Sequence, residues 1–270
     1  MKYTIILFIG LNFFSLNAQT NLKWLDVLPG ISYLNTETIG ENIFIGYGGW
    51  SAKPEAVKFW CEKLFYANLQ NLKVNKVFAV KGPDSPCYDE REIADSLLAI
   101  KLLDICKNEN ITNIIIAAHS SGSFVAHHFF QYLFGTTNLD SLGIVKNKII
   151  YFNLDGGIGS DECGFPIDEN IASKLNSIYA VYAYDSTTNK YSSNYETMIL
   201  LSKKFTNSYE IRLDVSDCGC TGKWCIHDAL IIKKPYNPEK FDLVNDYGGI
   251  NDERPVQSDY LNVLKTKKPN

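Results

Sequence analysis

The sequence has no basic stripe, no internal repeat, no low-complexity tract and, beyond its first residues, no long apolar run. Each absence excludes something. Lysines and arginines are scattered and the net charge is −4, which argues against a nucleic-acid partner; the Lys-Thr-Lys-Lys-Pro tail reads as a solvated end. A membrane-spanning helix needs about 20 consecutive apolar residues, and no such stretch follows the N-terminal segment. No Pro/Gly/Ser-rich linker divides the chain. Its 46% hydrophobic and 21% charged residues suit one large domain with a substantial core. Histidine is scarce as well: His119, His127, His128 and His227 are the only four. That scarcity narrows the choice of any general base.

The N-terminus has the pattern of a signal peptide over residues 1–18. Lys2 supplies a positive start, Ile5 to Leu16 a mostly apolar run, and Ala18 a small residue before Gln19. An uncleaved anchor is the alternative, and the lack of a cysteine just after the run argues against a lipid anchor. The mature domain is then 19–270, secreted or periplasmic, with no stable membrane span. Seven cysteines in an exported chain suggest disulfides with at least one thiol left over. Cys61 and Cys106 sit in amphipathic helical patterns and read as buried small hydrophobes. Cys87, Cys163, Cys218, Cys220 and Cys225 lie in loop-like sequence, and the last three do not match a standard zinc spacing.

Strand and helix patterns alternate over most of the chain. Strands are expected at Ile43–Gly46, Lys76–Val80, Asn113–Ala118, Lys148–Leu154, Ile178–Tyr184 and Tyr209–Val215. Helices are expected at Pro54–Leu69, Glu90–Asn108, Phe124–Phe134, Ile167–Leu175 and Tyr195–Phe205. Such alternation implies βαβ crossovers and a mainly parallel sheet with helices on both faces. Functional groups in these sheets gather beyond the carboxyl ends of the strands. Gly49, Ser120, Asp155, Asp185 and the loop holding His227 all follow strand ends.

A serine hydroxyl needs a neighbouring base to attack a carbonyl, and it needs exposure, which a tight strand-to-helix turn provides. Ala118-His119-Ser120-Ser121-Gly122 is such a turn, with alanine in place of the first glycine of G-x-S-x-G. Ser121 is the poorer nucleophile, since Ser123 would then stand where glycine is wanted. His119 adjoins the serine and is expected to point away from it; His127 and His128, on the following helix, are expected to face solvent or neighbouring side chains. His227 is left as the base, in a loop that can swing over the sheet edge. Two aspartates can orient it: Asp185, after the strand Ile178–Tyr184, is preferred, and Asp155 is the alternative acid. The oxyanion donors are expected at the Ser121 N–H and in Gly48-Gly49-Trp50, from either Gly49 or Trp50.

With these residues in place, the chain resembles the α/β-hydrolase superfamily over nearly its whole mature length. The elbow at 118–122, the Tyr47-Gly48-Gly49-Trp50 loop and the order Ser120, Asp185, His227 carry the resemblance. It implies an α/β-hydrolase fold in a single domain: an eight-stranded mixed sheet whose first two strands lie within Leu22 to Thr38. Some 20 residues separate Asp155 from the strand at Ile178, leaving room for only a minimal lid. The implied activity is hydrolysis of a small-molecule or lipid-like ester through an acyl-serine, with no cofactor and no metal. An amidase, peptidase or acyltransferase with the same triad remains open, as does a non-catalytic secreted binding protein of this fold.

Overall fold

The computed structural model describes residues 23–36, 39–85, 92–135, 143–159, 165–235, 247–249 and 251–266. The signal-peptide segment, Cys87 and Cys163 lie outside the described residues. β1 (Trp24–Leu28) and β2 (Ile31–Asn35) form an antiparallel hairpin. β3 (Asn42–Tyr47), β4 (Val74–Val80), β5 (Asn113–His119), β6 (Ile149–Leu154) and β7 (Ser177–Asp185) follow, with a two-residue β8 (Lys190–Tyr191) and then β9 (Ser208–Asp214). The order across the sheet is β1-β2-β4-β3-β5-β6-β7, with β8 and β9 both paired to β7. β2 and β8 run opposite to the other strands, which all point the same way. This is the strand order of the α/β-hydrolase fold, here a single domain.

The helices are α1 (Pro54–Leu64), α2 (Glu92–Asn108), α3 (Gly122–Gly135), the one-turn α4 (Glu169–Ala172), α5 (Tyr195–Lys204), α6 (Lys223–Asp228) and α7 (Val263–Thr266). Every strand and helix expected from periodicity is present, with ends shifted by one to a few residues. The largest difference is after α1, where the expected helix to Leu69 turns into a π-helical turn over Phe65–Leu69.

The central strands explain why the sheet must be covered twice. In β5, Ile114, Ile116 and Ala118 join the core on one face, while Ile115 and Ala117 join the core on the other. Strict alternation of side-chain direction sends a continuous apolar run to both faces. Each fully buried isoleucine contributes on the order of 2 kcal/mol. No helix among the described residues is long and apolar enough to cross a membrane.

Of the two placements expected for the histidines of the helix after β5, the structure shows the second, against neighbouring side chains. His127 and His128 are both buried. His127 Nδ1 is 2.8 Å from the Phe165 carbonyl and its Nε2 is 3.0 Å from the Tyr151 hydroxyl. His128 meets Asp95 of α2 at 2.9 Å. The reason is α3 itself, which is apolar nearly all round (Val125, Ala126, Phe129, Phe130, Leu133, Phe134) and is packed between neighbours rather than on a surface.

Burial lowers the His127 pKa to about 4, helped by the charge of Lys204 and opposed by the bond to Phe165. Above pH 6.5 this histidine is neutral in both folded and unfolded chains. Below it the unfolded chain takes the proton first, so stability falls from pH 6.5 down to the folded value. For this one group the loss is about 3 kcal/mol. Urea unfolding at pH 7 and pH 4.5 is expected to show a steep decline that His127→Gln makes shallower. An unchanged slope in that variant would remove His127 as a cause.

Candidate active site

Three strand ends and two loops build the site. At the end of β5 the chain turns into α3 through Ser120, whose φ is +53°, a left-handed conformation that serine rarely adopts. The turn is held by two backbone bonds, from the Ser120 N–H to the Leu154 carbonyl (3.0 Å) and from the Ser123 N–H to the Ser120 carbonyl (3.1 Å). Gly122 is required two residues on, because a Cβ there would lie 2.4 Å from the Gly48 carbonyl oxygen. The place of the first motif glycine is filled by Ala118, which is fully buried in β5 between Tyr47 and Asn153 of the flanking strands. Strain held by surrounding packing is typical of functional positions.

The next strand end carries Asp155, also at positive φ (+50°). Asn153, buried in β6, braces the turn: its Oδ1 accepts the Gly156 N–H and its Nδ2 donates to the Gly157 carbonyl, each at 2.9 Å. The Ser123 hydroxyl accepts the Gly157 N–H at 2.9 Å, which ties this turn to the helix behind Ser120. Thus the elbow and the aspartate turn are locked to each other.

Asp155 is fully buried, and its carboxylate meets His227 Nδ1 at 2.6 Å. The same carboxylate accepts from the Ser192 hydroxyl (2.8 Å), the Ser193 hydroxyl (3.2 Å) and the Asn194 N–H (3.1 Å). Asn194 Nδ2 also donates to the Asp155 carbonyl oxygen at 2.6 Å. A carboxyl group taken out of water needs such donors. The short stretch after β8 supplies most of them, and sequence reading missed it: three small polar residues in a row carry no pattern of their own.

His227 lies on α6 and is buried. The Cys220–Cys225 disulfide closes the loop that leads into this helix, with Cα atoms 5.4 Å apart. Cys61, Cys106 and Cys218 are buried free thiols. The exposed Trp224 stands edge-on to the His227 ring at 5.7 Å.

Asp185, the preferred partner for His227, is a correction. Its carboxylate turns back on its own loop, accepting from the Thr187 N–H and hydroxyl (2.9 and 2.6 Å) and from the Thr188 N–H and hydroxyl (3.3 and 2.8 Å). Burial raises its pKa, but these four bonds outweigh that and leave it below the ordinary aspartate value. Asp-x-Thr-Thr favours such a local turn over a long reach. The structure gives the pairing with His227 to the alternative acid, Asp155.

The oxyanion expectation also narrows. The Gly49 N–H is already engaged, donating to the Tyr247 hydroxyl at 2.5 Å. The N–H groups of Ser121 and Trp50 donate to nothing among the described residues. His119 does not turn away: its ring lies 4.5 Å from that of His227, and its Nδ1 is 2.8 Å from the Tyr247 hydroxyl. Burial and the adjoining His227 hold His119 far below the ordinary histidine pKa, the His227 backbone acting weakly the other way. It is therefore neutral.

Among the described residues one group could hold a metal: His119, His227 and Asp228, whose ligand atoms lie within 4.8 Å of one another. With Nδ1 facing Asp155, His227 would offer Nε2, the atom a serine nucleophile requires. A metal there would compete with proton transfer rather than assist it.

No protein-family model matches the sequence, and no curated protein matches it significantly. Among solved structures, the chain is similar to a lipase-esterase related protein from Clostridium acetobutylicum. That match has 12% identity and a TM-score of 0.38, covering 68% of this chain and 90% of the other. A second likeness is to the N-acyl homoserine lactonase AidH, a mutant complexed with N-hexanoyl homoserine. Here the identity is 11% and the TM-score 0.28, with 51% and 46% of the chains covered. A third is Cfl2 from Burkholderia cenocepacia, at 18% identity and TM-score 0.27 over 51% and 42%. Likenesses this distant speak to no residue of the site; the fold assignment rests on the strand order described above.

The Asp155–His227 contact has a direct spectroscopic signature. A proton held between carboxylate and imidazole at this distance resonates far downfield in ¹H NMR. We expect that signal in the wild type and in Asp185→Asn, and its loss in Asp155→Asn. Its loss in Asp185→Asn alone would reverse the assignment.

Proposed function

We propose that the protein is a secreted serine hydrolase that cleaves carboxylic esters through an acyl-Ser120 intermediate. One observation carries the reading. A buried aspartate–histidine pair, Asp155 and His227, stands at the strand end next to the turn that holds Ser120 at φ +53°, and the His227 ring lies 4.5 Å from that of His119, the residue before the serine. Neither feature serves folding well. A buried ion pair contributes little net stability and a left-handed serine costs on the order of 1 kcal/mol.

In the reaction, His227 Nε2 takes the Ser120 proton as the hydroxyl attacks the ester carbonyl. Asp155 keeps Nδ1 protonated and stabilises the imidazolium without itself taking the proton. Negative charge develops on the carbonyl oxygen, toward the N–H groups of Ser121 and Trp50. The start of α3 adds the positive end of its dipole. Collapse breaks the ester C–O bond and His227 protonates the departing alcohol. Water then attacks the acyl-serine with His227 again as base, releasing the acid.

Labelling by a fluorophosphonate probe is expected for the wild type and absent in Ser120→Ala. Asp155→Asn should lower kcat by about 10⁴-fold, since the ring loses its tautomer and its counter-charge. Asp185→Asn should leave kcat nearly unchanged. A folded wild-type protein that does not label would end this reading. A panel of p-nitrophenyl esters and matched anilides decides between ester and amide cleavage, and faster turnover of the esters is expected.

Export rests on the sequence pattern of residues 1–18 and fits the Cys220–Cys225 disulfide. N-terminal sequencing of the mature protein is expected to begin at Gln19. A mature chain beginning at Met1 would overturn it.

A further inference from the structure

Tyr247 has no part in the triad, yet its hydroxyl reaches the centre of the site. The side chain is 4% exposed. Its oxygen accepts the Gly49 N–H at 2.5 Å and lies 2.8 Å from His119 Nδ1. These partners are 198 and 128 residues away in sequence, so neither bond follows from local chain geometry. The ring is fixed by edge-on contacts with Trp60 of α1 and with His119, both at 5.7 Å between ring centres.

The packing around Gly49 shows how tightly this oxygen is set. A Cβ at residue 49 would lie 3.0 Å from Ser120 Cβ, 3.1 Å from His119 Nδ1 and 3.1 Å from the Tyr247 hydroxyl. A side chain at this position would crowd all three. The turn bearing the tyrosine is itself anchored: Gly248, at φ +71°, packs against Asp252 and Ile232. Asp252 pairs with Arg254, and its carbonyl accepts from Lys63 of α1 at 2.6 Å.

We propose that Tyr247 is a positioning residue for the oxyanion site, an inference that rests on the hydrolase reading above. Its hydroxyl clamps the Gly48–Trp50 loop to His119, the residue before the nucleophile. That clamp sets the separation of two N–H groups borne on different loops, those of Trp50 and Ser121. His119 is neutral, so one of its ring nitrogens is bare; the hydroxyl donates to Nδ1 or accepts from it according to the tautomer, and the clamp holds either way. In both cases the Gly49 N–H is used up, which leaves Trp50 as the loop's donor. The substrate oxygen becomes fully anionic only in the transition state, so error in donor spacing falls on kcat more than on KM.

The test is Tyr247→Phe, which keeps the ring and removes the oxygen. Because the Gly49 N–H then loses its partner, the folded fraction is first fixed by titration with a fluorophosphonate. Per active site, kcat is expected to fall by about 10- to 100-fold, about tenfold less than the loss of a whole oxyanion donor because the donors are displaced rather than removed, with little change in KM. A trifluoromethyl ketone, which forms a tetrahedral oxyanion on the serine, should lose affinity in the same proportion. An unreactive ether analogue of the ester should bind as before. A merely structural role would lower the active fraction without splitting the two ligands. Unchanged kcat and ketone affinity in Tyr247→Phe would overturn the proposal, and so would a gain in activity, which would mean that the hydroxyl blocks the site. If the wild type itself neither labels nor turns over esters, it is the hydrolase reading that has failed.

Discussion

The contact between Asp155 and His227 is the constraint on which the rest of the site depends. A carboxylate with no exposure at all is tolerable only if donors surround it. The fold supplies them from Ser192, Ser193, Asn194 and the imidazole. Much of the local architecture serves that end. Asn153 shapes the turn that presents the carboxylate, and the stretch after β8 closes over it. The disulfide between Cys220 and Cys225 shortens the loop that delivers the histidine.

The elbow and the aspartate turn are coupled through α3. Ser123 accepts the Gly157 N–H, and a Cβ at Gly156 would lie 2.6 Å from the Ser120 carbonyl oxygen. Two left-handed residues, Ser120 and Asp155, therefore stand at adjacent strand ends and brace one another. Strain of this kind persists only where neighbours over-determine it. On the other side of Ser120, the Gly48–Trp50 loop is held by a hydroxyl from far along the chain. The site is thus fixed from three directions.

Periodicity made the sheet and its helices legible. Continuous apolar runs such as Ile114 to Ala118 and Ile149 to Phe152 have few other uses in a chain of this composition. The turn at Ser120 was legible too, from the small residues around it, and so was His227 as the histidine that comes to the sheet edge after the last strand. The acid was not. Asp155 and Asp185 both follow strands, and what separates them is the local chemistry of their loops. Thr187 and Thr188 satisfy Asp185 within its own turn, while Asp155 precedes glycines that offer no side-chain donor. Its donors come from residues 192–194, a distance no spacing rule covers. The burial of His127 and His128 was hidden for a similar reason, since α3 is apolar on nearly every face and its polar partners lie on other elements. Tyr247 stood out in no pattern at all.

The measurement that tests the central claim most directly is a crystal structure of the protein inactivated by a fluorophosphonate. The account predicts phosphorus bonded to Ser120 Oγ, with His227 Nδ1 on Asp155. The phosphoryl oxygen should be received by the N–H groups of Ser121 and Trp50. An adduct on another residue would contradict the account, as would a His227 ring turned to Asp185 in the adduct.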